Sequence, residues 1–196
     1  MPVRTVQFVQ GHYYHLHNRG ANRQSIFHND DDFRDFLTRL KGNTQKYAVQ
    51  IIAYCLMPNH FHLLVRQDGE TSAGLALQYT CNGYTQHLNR QRQRQGTLFQ
   101  GRFGAHHVHE DAYLRHLCCY IHANPVKDGF ALKPELWPYS NYLEWTGQRN
   151  GSLIDKEFVK TQFGSAETYK NFVTAYMTNA AAIPANVRTY LASLAG

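Results

Sequence analysis

A hairpin-like segment near the middle of the chain constrains the fold more than any other feature. Residues 47–57 are a run of β-branched, aromatic and aliphatic side chains, which predicts a largely buried strand. Pro58 and Asn59 follow as a turn signal. Residues 60–66 then predict a strand that returns beside the first. The segment therefore predicts two adjacent antiparallel strands.

The returning strand carries a pair of histidines. Because side chains alternate along a strand, His60 and His62 project from one face and Phe61 from the other. Two imidazoles on one face can chelate one metal ion. Two further pairs share this spacing, namely His15 with His17 and His107 with His109. A pair alone is weak evidence in a chain with 12 histidines, so we interpret these two as ordinary sheet histidines.

A second informative segment, residues 110–124, predicts a helix. Acidic residues begin it, apolar residues recur at helical spacing, and Pro125 follows. Tyr120 and Asn124 are four residues apart, so the phenol and the carboxamide should lie on one face, with His116 one turn earlier. A tyrosine on an apolar helix face is usually a core residue. The helix alone therefore leaves the role of Tyr120 open.

Four stretches of the chain match one known family. The chain resembles the single-tyrosine HUH transposases, named for their histidine-hydrophobic-histidine motif, and most closely the REP-associated tyrosine transposases among them. The matching stretches are Tyr14-His15-Leu16-His17-Asn18-Arg19-Gly20, Met57 to Val65, Phe99-Gln100-Gly101-Arg102-Phe103, and Tyr120 to Gly129 with Trp137-Pro138-Tyr139-Ser140. They follow the family's order and span about residues 10–147.

The resemblance implies a site residue by residue. It identifies Tyr120 as the nucleophile, His60 and His62 as metal ligands, and Asn124 as the third ligand. Asparagine rather than glutamine at this last position favours the REP-associated branch over mobile insertion-sequence enzymes. Two imidazoles and an amide oxygen suit Mg²⁺ or Mn²⁺. Zinc is disfavoured because the four cysteines include no Cys-x-x-Cys pair.

These residue types suit phosphodiester chemistry. About one phenol in a thousand is ionised at pH 7, so a tyrosine nucleophile must be activated. A metal ion on the phosphate polarises a non-bridging oxygen and neutralises charge in the transition state. A phosphotyrosine ester would retain the energy of the broken bond, so a DNA hydroxyl could later reverse the step without ATP.

The charge distribution predicts a surface for a polyanion. The formal net charge is +6, and no Asp or Glu occurs between Thr71 and His109. Four arginines lie in this acid-free stretch, namely Arg90, Arg92, Arg94 and Arg102. We expect Arg90, Arg94 and Arg102 to contact DNA, although arginines that complete a predicted helix over residues 73–94 remain an alternative. Arg19 and Lys127 are further candidates for DNA contacts.

Aromatic residues are interleaved with these arginines. They are Tyr79, Tyr84, Phe99 and Phe103. Such side chains either stack on unpaired bases or fill the core, and the sequence leaves both interpretations open.

The order of predicted elements is β-α-β-β-α-β with an added helix that carries the tyrosine. The predicted strands cover residues 12–18, 47–57, 60–66 and 102–109, and the predicted helices cover 30–46, 73–94 and 111–123. This order fits an α+β, ferredoxin-like antiparallel sheet in which the third strand is central. We expect residues 1–147 to form the catalytic domain. After a linker-like break at residues 148–152, residues 148–196 should form a helical C-terminal extension.

Three classes of function are consistent with the sequence. The first is a metal-dependent strand transferase that acts on single-stranded DNA beside a hairpin, which the resemblance identifies as a repetitive extragenic palindrome. The second is a hairpin-binding protein with little or no catalysis. The third is a metal-dependent nuclease that does not use the tyrosine. No signal peptide or span of about 20 apolar residues is visible, so we expect a cytoplasmic protein. We expect a monomer, with a dimer as the alternative.

Overall fold

The computed structural model describes residues 6–109, 111–179 and 183–194. It confirms an α+β fold with a four-stranded antiparallel sheet. The strands are β1 (Tyr13–Arg19), β2 (Val49–Met57), β3 (His60–Gln67) and β4 (Gly104–Val108). The helices are α1 (Asp30–Lys46), α2 (Ala73–Gln91), α3 (Asp111–Lys127), α4 (Tyr142–Trp145), α5 (Lys156–Phe163), α6 (Ala166–Thr178) and α7 (Ala185–Leu194). Short 3-10 helices cover Ala21–Arg23 and Pro134–Leu136.

The sheet has the strand order β2-β3-β1-β4, so β3 is central as predicted. β1 and β3 run antiparallel, and their register pairs His17 with His62 and Arg19 with His60. The turn at Pro58 is held from outside the hairpin, because the Pro58 carbonyl accepts hydrogen bonds from the backbone N–H groups of Ile26 and Phe27 at 2.7 and 3.0 Å. Strand register and turn therefore fix where the histidines lie on the sheet.

Contacts between residues divide the chain into two compact units. One comprises Met1–Ile51 and Leu56–His107, and the other comprises Ile52–Cys55 and Val108–Gly196. The predicted division between residues 147 and 148 stays a prediction.

In the first unit, aromatic side chains form the core beneath the sheet. Phe36 lies at its centre, with ring centroids 5.2 Å from Phe61, 5.3 Å from Phe27 and 5.4 Å from Tyr84. The Tyr84 hydroxyl is satisfied there, since it donates to the Ile26 carbonyl at 2.5 Å. Phe61 is fully buried. The strand alternation that buries Phe61 turns His60 and His62 to the other face.

Helix α2 ends three residues earlier than the sequence predicted. It stops at Gln91, with Arg92 as its C-cap, and Gln93 adopts a positive φ of 50° that ends the helical geometry. Arg94 therefore lies in the turn beyond the helix, where its N–H donates to the Asn89 carbonyl. Arg90 and Arg94 therefore do not share one side of a continuous helix, as a helix over residues 73–94 would have placed them.

Helix α3 runs further than predicted, because it passes through Pro125 and ends at Lys127. Proline has a φ compatible with a helix, but it lacks the N–H that would bond one turn back, and its ring crowds the carbonyl there. The helix continues around it, since the N–H of Asp128 donates to the Asn124 carbonyl at 3.0 Å. Asn124 is thus held within the last turns of a helix.

The second unit is built around α3, which contacts both α6 and α7. An aromatic cluster centred on Tyr169 fills its interior, with ring centroids 4.6 Å from Trp145 and 4.7 Å from Phe163. The predicted helices of the C-terminal extension are present as α5 and α6, and a further helix, α7, follows Pro184. Within the described residues, no helix combines the length and apolarity that a membrane crossing requires.

Candidate active site

The sheet face that carries His62 is a layer of histidines. The centroid of the His62 ring lies 5.1 Å from that of His15, 5.2 Å from that of His60 and 5.8 Å from that of His17. His106, on β4, stacks on His17 at 5.5 Å. The sequence suggested that His15 and His17 are ordinary sheet histidines. Both rings in fact lie beside the predicted metal ligand His62.

A hydrogen bond defines the proton position of His60, and a second hydrogen bond involves His62. His60 Nδ1 lies 2.7 Å from Asn59 Oδ1, which can only accept, so Nδ1 carries the proton. In a neutral ring, the lone pair of His60 is then on Nε2. His62 Nδ1 lies 3.0 Å from His15 Nε2. If His62 donates in this bond, its Nε2 likewise carries a lone pair suited to a metal.

Two rings beside His62, those of His15 and His17, are held in the neutral state. Burial lowers the pKa of His15 well below its usual value, and the neighbouring His17 and His106 lower it further. Burial, His106, His60 and Arg19 together lower the pKa of His17 to about 4. A neutral His15 can accept the hydrogen bond that His62 Nδ1 must donate if His62 is to bind a metal through Nε2.

His107, a member of the third histidine pair, lies apart from this layer. His107 Nε2 is 2.8 Å from Nδ1 of His12, and the two rings stack at 4.8 Å on an exposed part of the sheet. Within residues 6–109, 111–179 and 183–194, no three or more His, Cys, Asp or Glu side chains are arranged around a common metal position. The proposed set of two histidines and an asparagine is of a different composition.

On α3, Tyr120 and Asn124 meet as their spacing predicts. Both are buried, and the Asn124 side chain hydrogen-bonds the Tyr120 phenol. Burial raises the pKa of Tyr120, the bond from Asn124 opposes this, and Asp128 adds to the rise. The Lys127 ammonium lies 5.0 Å from the centroid of the Tyr120 ring. His116 faces aromatic side chains instead, with its ring 5.5 Å from Phe172.

The predicted DNA-contacting residues are mostly accessible. Arg90, Arg102 and Lys127 are exposed, and Arg94 is half-buried. Arg19 donates from Nε to Gln100 Oε1 at 2.5 Å. Arg92, the remaining arginine of the acid-free stretch, instead forms an ion pair with the buried Asp32 at 2.8 Å.

Most aromatics of the acid-free stretch belong to the core. Tyr84, Phe99 and Phe103 are buried. Tyr79 is 52% exposed and stacks on Tyr47 with ring centroids 5.8 Å apart. Tyr79 is therefore the member of this set whose surface is available for a base.

Sequence reasoning missed several groups around these residues. Asn59 was assigned only to a turn, although its side chain sets the proton position of His60. His106 had no partner at the His-x-His spacing, and it joins the layer only through the pairing of strands. Asn141, whose role is described below, lies outside every predicted helix and strand.

Comparisons with known proteins agree with this geometry. Residues 8–124 match the model of a family described as "Transposase IS200 like". A Haemophilus influenzae protein described as a REP-associated tyrosine transposase is 29% identical over 122 residues, which cover 57% of this chain and 69% of the relative.

The fold also matches a solved structure, that of a REP-associated tyrosine transposase bound to a REP hairpin. The TM-score is 0.66 at 18% identity, with 79% of this chain and 94% of that chain covered. At this identity the match establishes the shared fold.

Proposed function

This chain belongs to the family of IS200-like transposases, which are DNA-cleaving enzymes, and we propose that it cleaves single-stranded DNA beside a hairpin through a covalent phosphotyrosine intermediate. The observation that carries the proposal is the hydrogen bond between Tyr120 and Asn124. It joins a nucleophile of the right type to a side chain of the type that binds a divalent metal. The hairpin bound in the related structure supports a REP-type hairpin as the DNA substrate.

In the proposed reaction, the phenol oxygen of Tyr120 attacks the scissile phosphorus. The phosphorus–oxygen bond to one strand breaks, a tyrosine–phosphate ester forms, and the leaving oxygen takes up a proton as a DNA hydroxyl. A second DNA hydroxyl can then displace the tyrosine, which joins the strand to a new end and restores the phenol. Cleavage and transfer therefore need no external energy source.

The metal ligands we propose are His60 and His62 through Nε2 and Asn124 through its amide oxygen. The bond from His60 Nδ1 to Asn59 supports this set, because it leaves the lone pair of that ring on Nε2. Such a set suits Mg²⁺ or Mn²⁺. When bound, the ion supplies Lewis acidity to a phosphate oxygen.

Five basic residues are proposed to contact the DNA backbone, namely Arg19, Arg90, Arg94, Arg102 and Lys127. Their side chains are exposed or half-buried, which is what phosphate contacts require. Lys127 also lies close to the proposed nucleophile, with its ammonium 5.0 Å from the centroid of the Tyr120 ring. We expect the protein to act as a monomer in the cytoplasm.

The direct test is detection of a covalent complex on a denaturing gel. The protein is incubated with Mn²⁺ and a hairpin DNA that carries a labelled single-stranded flank, beside the Tyr120→Phe variant and a sample with excess chelator. We expect a slowly migrating labelled species with the wild type that is absent from both controls.

The other outcomes identify the alternative functions. Cleavage that persists in Tyr120→Phe would show a nuclease that does not use the tyrosine. Hairpin binding without cleavage, across several hairpins and both metals, would show a DNA-binding protein with little catalysis. Either result would overturn the proposal.

A further inference from the structure

His122 lies on α3 between the proposed nucleophile and the proposed third ligand. It is two residues from Tyr120 and two from Asn124. Two residues correspond to a rotation of about 200° around a helix, so His122 projects from the opposite side. Its side chain is fully buried. His122 is thus a polar side chain on a helix side that is buried within the second unit.

The Asn141 side chain hydrogen-bonds His122 and three backbone groups. Its amide oxygen accepts from the Tyr54 backbone N–H at 2.8 Å, and its amide nitrogen donates to the carbonyls of Ile52 at 2.8 Å and Leu153 at 3.0 Å. These three backbone partners fix which way the amide points, since a reversed amide would place like groups together. His122 Nε2 lies 2.9 Å from the same Oδ1.

These bonds allow only one tautomer of His122. Because Asn141 Oδ1 is an acceptor, His122 Nε2 carries the proton and Nδ1 carries a lone pair. The Tyr169 hydroxyl lies 2.5 Å from Nδ1 and donates to it. Both ring nitrogens are therefore bonded to side chains that are themselves completely buried.

The network joins distant parts of the chain within one compact unit. It ties α3, through His122, to strand β2 at Ile52 and Tyr54, and to α6 through Tyr169. Apolar packing is non-directional, and it tolerates small rotations of a helix. A hydrogen bond loses strength as its angle departs from linearity, so two bonds to one ring resist rotation of α3.

We propose that His122, Asn141 and Tyr169 form a positioning network that sets the rotation of α3 and thereby aims the Tyr120 phenol and the Asn124 amide. The inference rests on the proposed function. A phenol oxygen lies roughly 8 Å from the helix axis, so a rotation of about 10° would move it by roughly 1.5 Å. A displacement of about 1 Å can lower a rate by about a hundredfold.

The test uses Tyr169→Phe in the full-length protein. This change removes the donor to His122 Nδ1 and keeps the aromatic ring that packs on Trp145 and Phe163. The matched control is Tyr142→Phe, because the Tyr142 ring also contacts His122, at 5.7 Å, while its hydroxyl bonds to Glu135 instead. Both proteins are mixed in excess with a labelled hairpin DNA and Mn²⁺, and covalent complex is followed over time.

The rate constant and the amplitude of this single turnover separate two roles. We expect Tyr169→Phe to lower the rate constant about tenfold or more, with full amplitude and unchanged hairpin affinity, and Tyr142→Phe to stay within about twofold of the wild type. A lower amplitude with an unchanged rate constant would show a merely structural role. An unchanged rate constant and amplitude would also overturn the inference.

A second variant covers the case in which Tyr169→Phe fails to fold. The double variant His122→Phe, Tyr169→Phe removes both polar partners together and keeps two rings in place, while Asn141 Oδ1 retains its bond from Tyr54. The same loss in rate constant is expected, and a wild-type rate constant would refute the network's role. If the wild type forms no Tyr120-dependent complex, the proposed function fails first, and this inference fails with it.

Discussion

As the proposed nucleophile, Tyr120 has to lose a proton to attack a phosphate, yet its surroundings hold that proton on. Burial raises the pKa of the phenol, and Asp128 raises it further. One neighbour acts in the other direction, since Asn124 hydrogen-bonds the phenol. In the proposed reaction, the metal ion would supply a charge that favours the phenolate at neutral pH.

The burial of His122 predicts how the stability of the protein depends on pH. Burial lowers its pKa from the usual 6.5 to about 4, although the bond to Asn141 opposes the change. The neutral form favoured by the fold contributes stability that is fully present above about pH 6.5 and is lost as the pH falls toward 4. The contribution at stake is about 3 kcal/mol.

The free energy of unfolding is measured by urea denaturation at several pH values between 4 and 8, in a buffer that contains a chelator. We expect a plateau above about pH 6.5 and a decline below it that is shallower in the His122→Phe, Tyr169→Phe variant, which has no group to titrate there. Equal declines in both proteins would contradict the assignment of a buried neutral imidazole.

Among the elements, the strands were easier to predict than the ends of the helices. The existence and order of β1 to β4 and α1 to α3 follow from periodicity and turn signals, and the structure confirms them. The end of α2 depends on a backbone reversal at Gln93, and α3 continues through Pro125. Neither is specified by a local pattern, because each depends on which hydrogen bonds the neighbouring chain supplies.

The site shows the same limit. Its principal residues lie in two short motifs, so the resemblance could identify them. The groups around them do not lie in such motifs, since His106 reaches the histidine layer by strand pairing and Asn141 reaches His122 from 19 residues away. Long-range partners of this kind leave no periodic signal in a single sequence.

The close contact between Gly104 of strand β4 and the His17 ring predicts an effect on stability. A Cβ atom there would lie 2.2 Å from Nε2 of His17 and 2.5 Å from its Cε1, so β4 passes directly under this ring. Gly104→Ala should displace the ring and lower the free energy of unfolding by about 1–3 kcal/mol. Denaturant unfolding measures the change.

Two variants control this measurement. Gly42→Ala lies in α1 with nothing within 4 Å of the added atom, so it should leave stability unchanged or raise it by up to about 1 kcal/mol. In a His17→Ala background, Gly104→Ala should cost little, because the colliding ring is gone. A full cost in that background would show that the contact with His17 is not the cause.

At the scale of the whole molecule, charge and family agree on a nucleic-acid substrate. The formal net charge of +6 suits a polyanion, and the family match identifies a DNA-cleaving transposase. The sequence-based resemblance to single-tyrosine transposases is thereby confirmed. The identity of the nucleophile, the ligands and the metal remain predictions of this account.

The central claim is that one particular tyrosine forms the bond to DNA, and mass spectrometry of the trapped complex tests it most directly. Trypsin should release residues 116–127 as one peptide. Of the chain's 13 tyrosines, this peptide contains Tyr120 alone. After nuclease trimming of the DNA, we predict a nucleotide adduct on this peptide, with fragment ions that place it on Tyr120. An adduct on Tyr113 or any other residue, or cleaved DNA without an adduct, would contradict the account.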